Sequence, residues 1–237
     1  MNYINNFTTW YMMNEAASLD QINKINRAKS GIKSDVIEGL RKYLNARVKV
    51  GSGPQGTIAA TFINIDKLKG QAIEAITPQL DLLIKSYIEC DGGKSFRKGS
   101  ENFIISLKKL LISDIDGLSW IIKGSIGIAI KSAKKLIGGD PSVAVENIIK
   151  GIVNTAYGTV IRMPIFIQNS ITNRKLFPFQ QEEYKDPGTG KTVPAGVAYK
   201  GSFCEDSTSI KGDNFSIDYK VLANKHVQEI VDKVMSL

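Results

Sequence analysis

One histidine, His226, and two cysteines, Cys90 and Cys204, stand in a chain of 237 residues. With one histidine and two cysteines far apart in sequence, there is no four-ligand His and Cys set for zinc and no local ligand spacing. That scarcity also leaves a single imidazole for any Ser–His or Cys–His nucleophile pair, and no neighbour of His226 in the sequence supports one. Two cysteines do not make a disulfide framework, so reduced thiols in a cytoplasmically made protein are expected. No window reaches 18 uninterrupted apolar residues, which excludes a constitutive transmembrane helix. The opening residues, MNYINNFTTWYMM, lack a basic n-region and a long apolar core, so no secretory signal peptide is expected. A protein of this kind acting outside its producer leaves by lysis, by a dedicated machine or as deposited material. No internal repeat is present, which excludes solenoids and propellers.

What is present is an ordinary globular balance: 43% hydrophobic and 23% charged residues, enough to bury a sizeable core. The net charge of +8 favours anionic partners, namely a membrane surface, nucleic acid or an acidic protein. Aromatic and basic residues do not interleave, and Arg97 and Arg162 are the only arginines in or near the apolar middle, so nucleic acid ranks below membrane.

The periodicity predicts an α+β fold in one domain, 1–237. Residues 1–157 are helix-rich, 158–222 strand-rich, and 223–237 form a closing helix. Helical hairpins pack on a small, mainly antiparallel sheet formed largely by the C-terminal third. Ser18 with Gln21 reads as a capping box whose helix ends near Gly31, and Ser34 opens a second. Thr57 to Asn64 reads as a strand, Asp66 as a helix start, and Thr77-Pro78 as another, with proline in the tolerated first turn. Ser100 is expected to cap a helix bearing Phe103, Ile104, Leu107, Leu110 and Leu111. Residues 117–137 and 141–155, linked by Gly-Gly-Asp-Pro, form a predicted hairpin in which Gly151 allows close approach. Thr159 to Ile167, interrupted by Pro164, reads as two short extended pieces. Gly196 to Phe203 and Asn214 to Val221 read as strands.

The segment Gly117 to Gly139, GLSWIIKGSIGIAIKSAKKLIGG, carries four lysines and no acid. On a wheel of roughly 100° per residue, Lys123, Lys131, Lys134 and Lys135 fall within about 120°, with Trp120 near the centre. Ile122, Ile126, Ile130, Leu136 and Ile137 fill the opposite arc. Lysine stems cover apolar surface while their ammonium groups stay wet. Such a helix suits an anionic bilayer, each lysine adding about 1 kcal/mol near the surface. The same pattern also describes a core helix with a solvated lysine face.

Other motifs yield structure rather than chemistry. Asp-Pro-Gly-Thr-Gly-Lys-Thr, 186–192, lacks the phosphate-binding loop's first glycine, since Lys185 stands there, and Pro194 forbids a following helix. It reads as a hairpin turn with a glycine in the left-handed region. Glu182-Glu183 is a solvated acidic pair, and residues 205–213 lack calcium-loop spacing. Cys204 precedes two acids, which raise a thiol pKa, so it reads as a buried structural cysteine, with S-acylation as the functional alternative.

The order of elements across 100–222 resembles the Cyt-type cytolytic δ-endotoxins. The local likeness lies in Phe179-Gln180, Thr189-Gly190, Val193-Pro194-Ala195-Gly196 and Phe215-Ser216-Ile217. The late strands are shorter here and residues 184–188 are unmatched. The resemblance implies helical hairpins beside a sheet and a membrane-damaging activity, and it carries over no functional residue. The expected function is a membrane-targeting protein of toxin or virulence-factor type, without catalytic residues, cofactor or metal. It contacts anionic lipid through Trp120, Lys123, Lys131, Lys134 and Lys135. It is released from its producer and then exposes the hairpin 117–155 at a target-cell membrane. The alternative is a phage or assembly component using the same face on an acidic protein or a second copy of itself.

Overall fold

Apolar residues recur every fourth position from Ile32 to Leu44, and they draw one long helix out of a stretch that carries two helix-start signals. The computed structural model describes residues 19–48, 64–113, 141–202, 224–230, 232–233 and 236. Helix α1, Leu19–Arg47, runs unbroken past Gly31 and buries Ile25, Ile32, Val36, Leu40 and Leu44. The expected break at Gly31 does not occur. A Cβ there would lie 2.6 Å from the Arg174 guanidinium, so the glycine makes room for a side chain from a turn far along the chain rather than ending its own helix.

Helix α2, Ile65–Ile76, starts one residue earlier than expected. The Asn64 side chain accepts from the Lys67 backbone N–H at 2.9 Å, satisfying one of the unpaired donors of the first turn. A 3₁₀ turn at Thr77–Gln79, with its proline, leads into α3, Leu80–Glu89. Helix α4 covers residues 94–113 and begins six residues before Ser100. Its cap is Asp91, whose carboxylate accepts from the Ser95 N–H at 2.8 Å, while Ser86 Oγ accepts from the Phe96 N–H. Ser100 is instead buried inside the helix.

The largest departure from expectation is α5, Pro141–Asn173, which passes straight through Pro164. The β-branched run 159–167 is therefore helical. Val153, Val160, Met163, Ile167 and Ile171 are all nearly inaccessible to solvent. They fall on one face at helical spacing, against α1. Burying each such side chain contributes on the order of 1.5–3 kcal/mol, which outweighs the weak local preference of Val, Ile and Thr for strands. A Cβ built on Gly151 meets no described residue within 4 Å; the arm 117–137 that it was expected to approach lies outside the described residues.

Among the described residues, strands begin at Pro178. β1, Pro178–Gln181, pairs antiparallel with β4, Gly196–Tyr199, in the register Phe179 to Ala198. Between them β2, Tyr184–Lys185, pairs antiparallel with β3, Thr192–Val193. The tip is the expected turn: Asp186 accepts from the Gly188 N–H and the Thr189 hydroxyl, and Gly190 has φ 68°. Helix α6, residues 224–233 apart from position 231, closes the described chain and buries Val227 and Ile230. The fold is α+β, and the core joins α1 through α6 in one apolar cluster. The expected strands at 57–63 and 214–221, and the first arm of the hairpin 117–155, lie outside the described residues.

Candidate functional site

Helix α6 lies against α4 and α5, and their polar groups meet around the one histidine. His226 and Glu229 are three residues apart and share a helix face. Glu229 accepts from Lys108 Nζ of α4. The Tyr157 ring of α5 meets the imidazole edge to face, with centroids 6.1 Å apart. Among the described residues, neither His226 Nδ1 nor the Tyr157 hydroxyl has a hydrogen-bond partner, although both atoms are buried. Beside them opens a cleft of about 520 Å³, lined by Ile105, Lys108, Lys109, Ile112, Ser113 and His226.

The electrostatics follow from that packing. Burial, then the Lys108 charge, hold the imidazole below its ordinary 6.5; Glu229 opposes this and Lys225 adds to it. The hydrogen bond from Lys108 holds the Glu229 carboxyl low. Burial, with the Glu229 charge adding, pushes the Tyr157 phenol far above its usual range. Beside two lysines the imidazole is therefore held toward its neutral form. Ser113 shares the cleft, but no hydrogen bond joins it to His226 among the described residues, so no Ser–His relay is assembled there.

A second cleft, of about 380 Å³, lies between α1 and α5 and is lined by Asp35, Glu38, Lys42, Phe166 and Ser170 among others. Its charges are already matched. Asp35 accepts from Ser170 at 2.6 Å and from two Arg174 nitrogens at 3.0 and 2.8 Å, and Lys42 pairs with Glu38 at 2.7 Å. This cleft is a structural clasp between the two long helices.

Trp120, Lys123, Lys131, Lys134, Lys135 and Cys204 all lie outside the described residues. The expectation of reduced thiols is overturned at Cys90, which is disulfide-bonded and sits in the left-handed region at the end of α3, φ 49°. Sequence spacing carries no information on whether two distant sulfurs approach within bonding range. The His226 cluster was also invisible in sequence, because its members come from positions 108, 157, 226 and 229. The only signal was the rarity of the residue.

No family model, curated protein or solved structure matches this chain. Among the described residues, no helix is long and apolar enough to cross a membrane, and no group of His, Cys, Asp and Glu could hold a metal ion.

Proposed function

We propose that this chain is a membrane-targeting protein of toxin or virulence-factor type that binds anionic lipid. The observation that carries the reading is the acid-free segment 117–139, in which Lys123, Lys131, Lys134 and Lys135 fall with Trp120 on one arc at helical spacing in the sequence. Two further facts agree with it. Helix α4, which precedes that segment in the chain, presents Lys109 and Ile105 to solvent, the latter 46% exposed, so cationic and apolar surface stand together. The disulfide at Cys90 suits a protein that works outside a reducing cytoplasm. The likeness to Cyt-type toxins around residues 179–217 points the same way.

Flotation with liposomes tests the reading. The protein should rise with vesicles rich in phosphatidylserine and stay behind with neutral ones. Binding should weaken as salt rises, because exposed lysines act over a Debye length of about 8 Å at physiological ionic strength. Replacing the four lysines together by glutamine should abolish flotation. Equal binding to both vesicle types at every salt concentration, or capture of an acidic protein with no vesicle binding at all, sinks the proposal.

A further inference from the structure

The cleft between α4 and α6 has a mixed lining that matches one kind of molecule. Ile105 and Ile112 supply its apolar part, and Ile105 is among the few large hydrophobic side chains left well exposed, at 46%. Lys108, Lys109, Ser113 and His226 supply two cations, a hydroxyl and an imidazole. His226 lines the cleft, and its Nδ1 is buried and without a hydrogen-bond partner among the described residues. Glu229, the carboxylate at hand among the described residues, is engaged by Lys108. Lys225 adds further positive charge on α6. At about 520 Å³ the cleft is of small-molecule size, within the common range of roughly 300–1,000 Å³.

An inorganic anion would leave the isoleucines bare, and an alkane would leave the Lys109 ammonium without a counter-charge and the imidazole without a polar partner. A molecule with an anionic head and an alkyl chain satisfies both. We infer that this cleft binds a single membrane lipid, its phosphate head on Lys108, Lys109 and His226 and its first methylenes on Ile105 and Ile112. The inference rests on the membrane reading and adds a discrete lipid pocket to the diffuse attraction of a lysine face. Occupancy has a built-in reporter. A phosphate beside the imidazole favours its charged form, so binding must raise the proton affinity of His226 by linkage.

Because His226 is the chain's only histidine, its imidazole NMR signals are assigned without ambiguity. The full-length protein is titrated with decyl phosphate below its micelle threshold, with inorganic phosphate, and with uncharged decyl maltoside. Decyl phosphate should shift the His226 signals saturably and raise the midpoint of their pH titration. Inorganic phosphate should bind about tenfold more weakly, and decyl maltoside should leave the midpoint in place. Lys109→Gln should weaken decyl phosphate by about fivefold or more. Ile105→Gln should weaken decyl phosphate and leave inorganic phosphate unchanged. Both side chains are exposed, so both variants are expected to fold. No saturable shift with decyl phosphate overturns the inference. So does an equal response to inorganic phosphate, which would mark a plain anion site, or to decyl maltoside, which would mark a plain apolar one. The two readings fail separately. Flotation on anionic vesicles with no His226 response removes the pocket and leaves the membrane reading. A decyl phosphate response without flotation does the reverse.

Discussion

The seam between α1 and α5 and the strand-bearing arm from Pro178 to Tyr199 belong to one chain but are held by different forces. Along the seam, Val36, Leu40, Val160 and Ile167 are buried to within 2% of completeness, and the interaction is packing without direction. In the arm no residue of β1 to β4 is buried, and Tyr184 and Val197 are about half exposed, at 49% and 56%. Its order comes from directional contacts. These are two short ladders, the Asp186 turn, and two cations lying over rings: Lys175 over Tyr199 at 5.7 Å and Lys200 over Phe179 at 5.2 Å. The arm therefore depends on where it is anchored. One anchor is the Lys200 N–H donating to Phe177 O at 3.0 Å; the other is Gly201, pressed onto α5 at Gln168. A region held by packing tolerates polar change on its outside and no change of volume within. A region held by ladders and turns tolerates changes of side chain and depends on its few fixed points.

The sharpest test of that contrast is a pair of truncations. Leu40→Ala in the seam should lower unfolding stability by about 2–5 kcal/mol in urea denaturation, through lost transfer energy and the cavity left behind. Val197→Ala in the arm should change it by no more than about 0.5 kcal/mol. Similar costs for the two would mean that the arm is part of the cooperative core.

The next largest effect is expected at the anchor. A Cβ on Gly201 would stand 1.9 Å from Gln168 Cγ and 2.9 Å from its Cα. Gly201→Ala should therefore destabilise by about 1–3 kcal/mol through overpacking. Adding Gln168→Ala should recover part of that loss, since it removes the side chain but not the backbone contact. Full additivity of the two substitutions would show that the arm does not rest on α5 at this point.

The smallest effect is set by pH and separates the His226 site from the rest of the body. The folded imidazole titrates below its ordinary 6.5, so between these values the unfolded chain binds more protons than the folded one. The stability associated with His226 is complete above about pH 6.5. It falls as the pH drops toward the lower folded pKa. The melting temperature should decline from pH 7.5 to 5.5, and His226→Gln should flatten that decline. Asp35 and Asp81 act in a different window. Their burial is outweighed by hydrogen bonds from Ser170 and Arg174 and from Lys33 and Lys29, so their folded pKa values lie low. Their contribution is lost only under much stronger acid, below about pH 4. An unchanged slope in the histidine variant would contradict the assignment.

Much of the fold was legible because it rests on local signals. The periodic faces of α1, α3 and α4, the Asp186 turn and the α+β class follow from spacing and from residues with fixed backbone preferences. Where the reading failed, long-range packing overrode a local cue. Gly31 reads as a helix stop and serves as a seat for Arg174 from 143 positions away. Pro164 reads as a break and sits inside a helix whose buried residues from Val153 to Ile171 pack in the core against α1. Cys90 reads as a free thiol and is bonded.

The functional assignment divides along the same line. Charge sign, the scarcity of catalytic residue types and the acid-free lysine segment are properties of composition and order, and the sequence by itself determined them. The cleft at His226 was decided by tertiary structure alone. Lys108, Tyr157 and Glu229 acquire a common environment only when three helices bury their apolar faces together, and no spacing along the chain encodes that meeting.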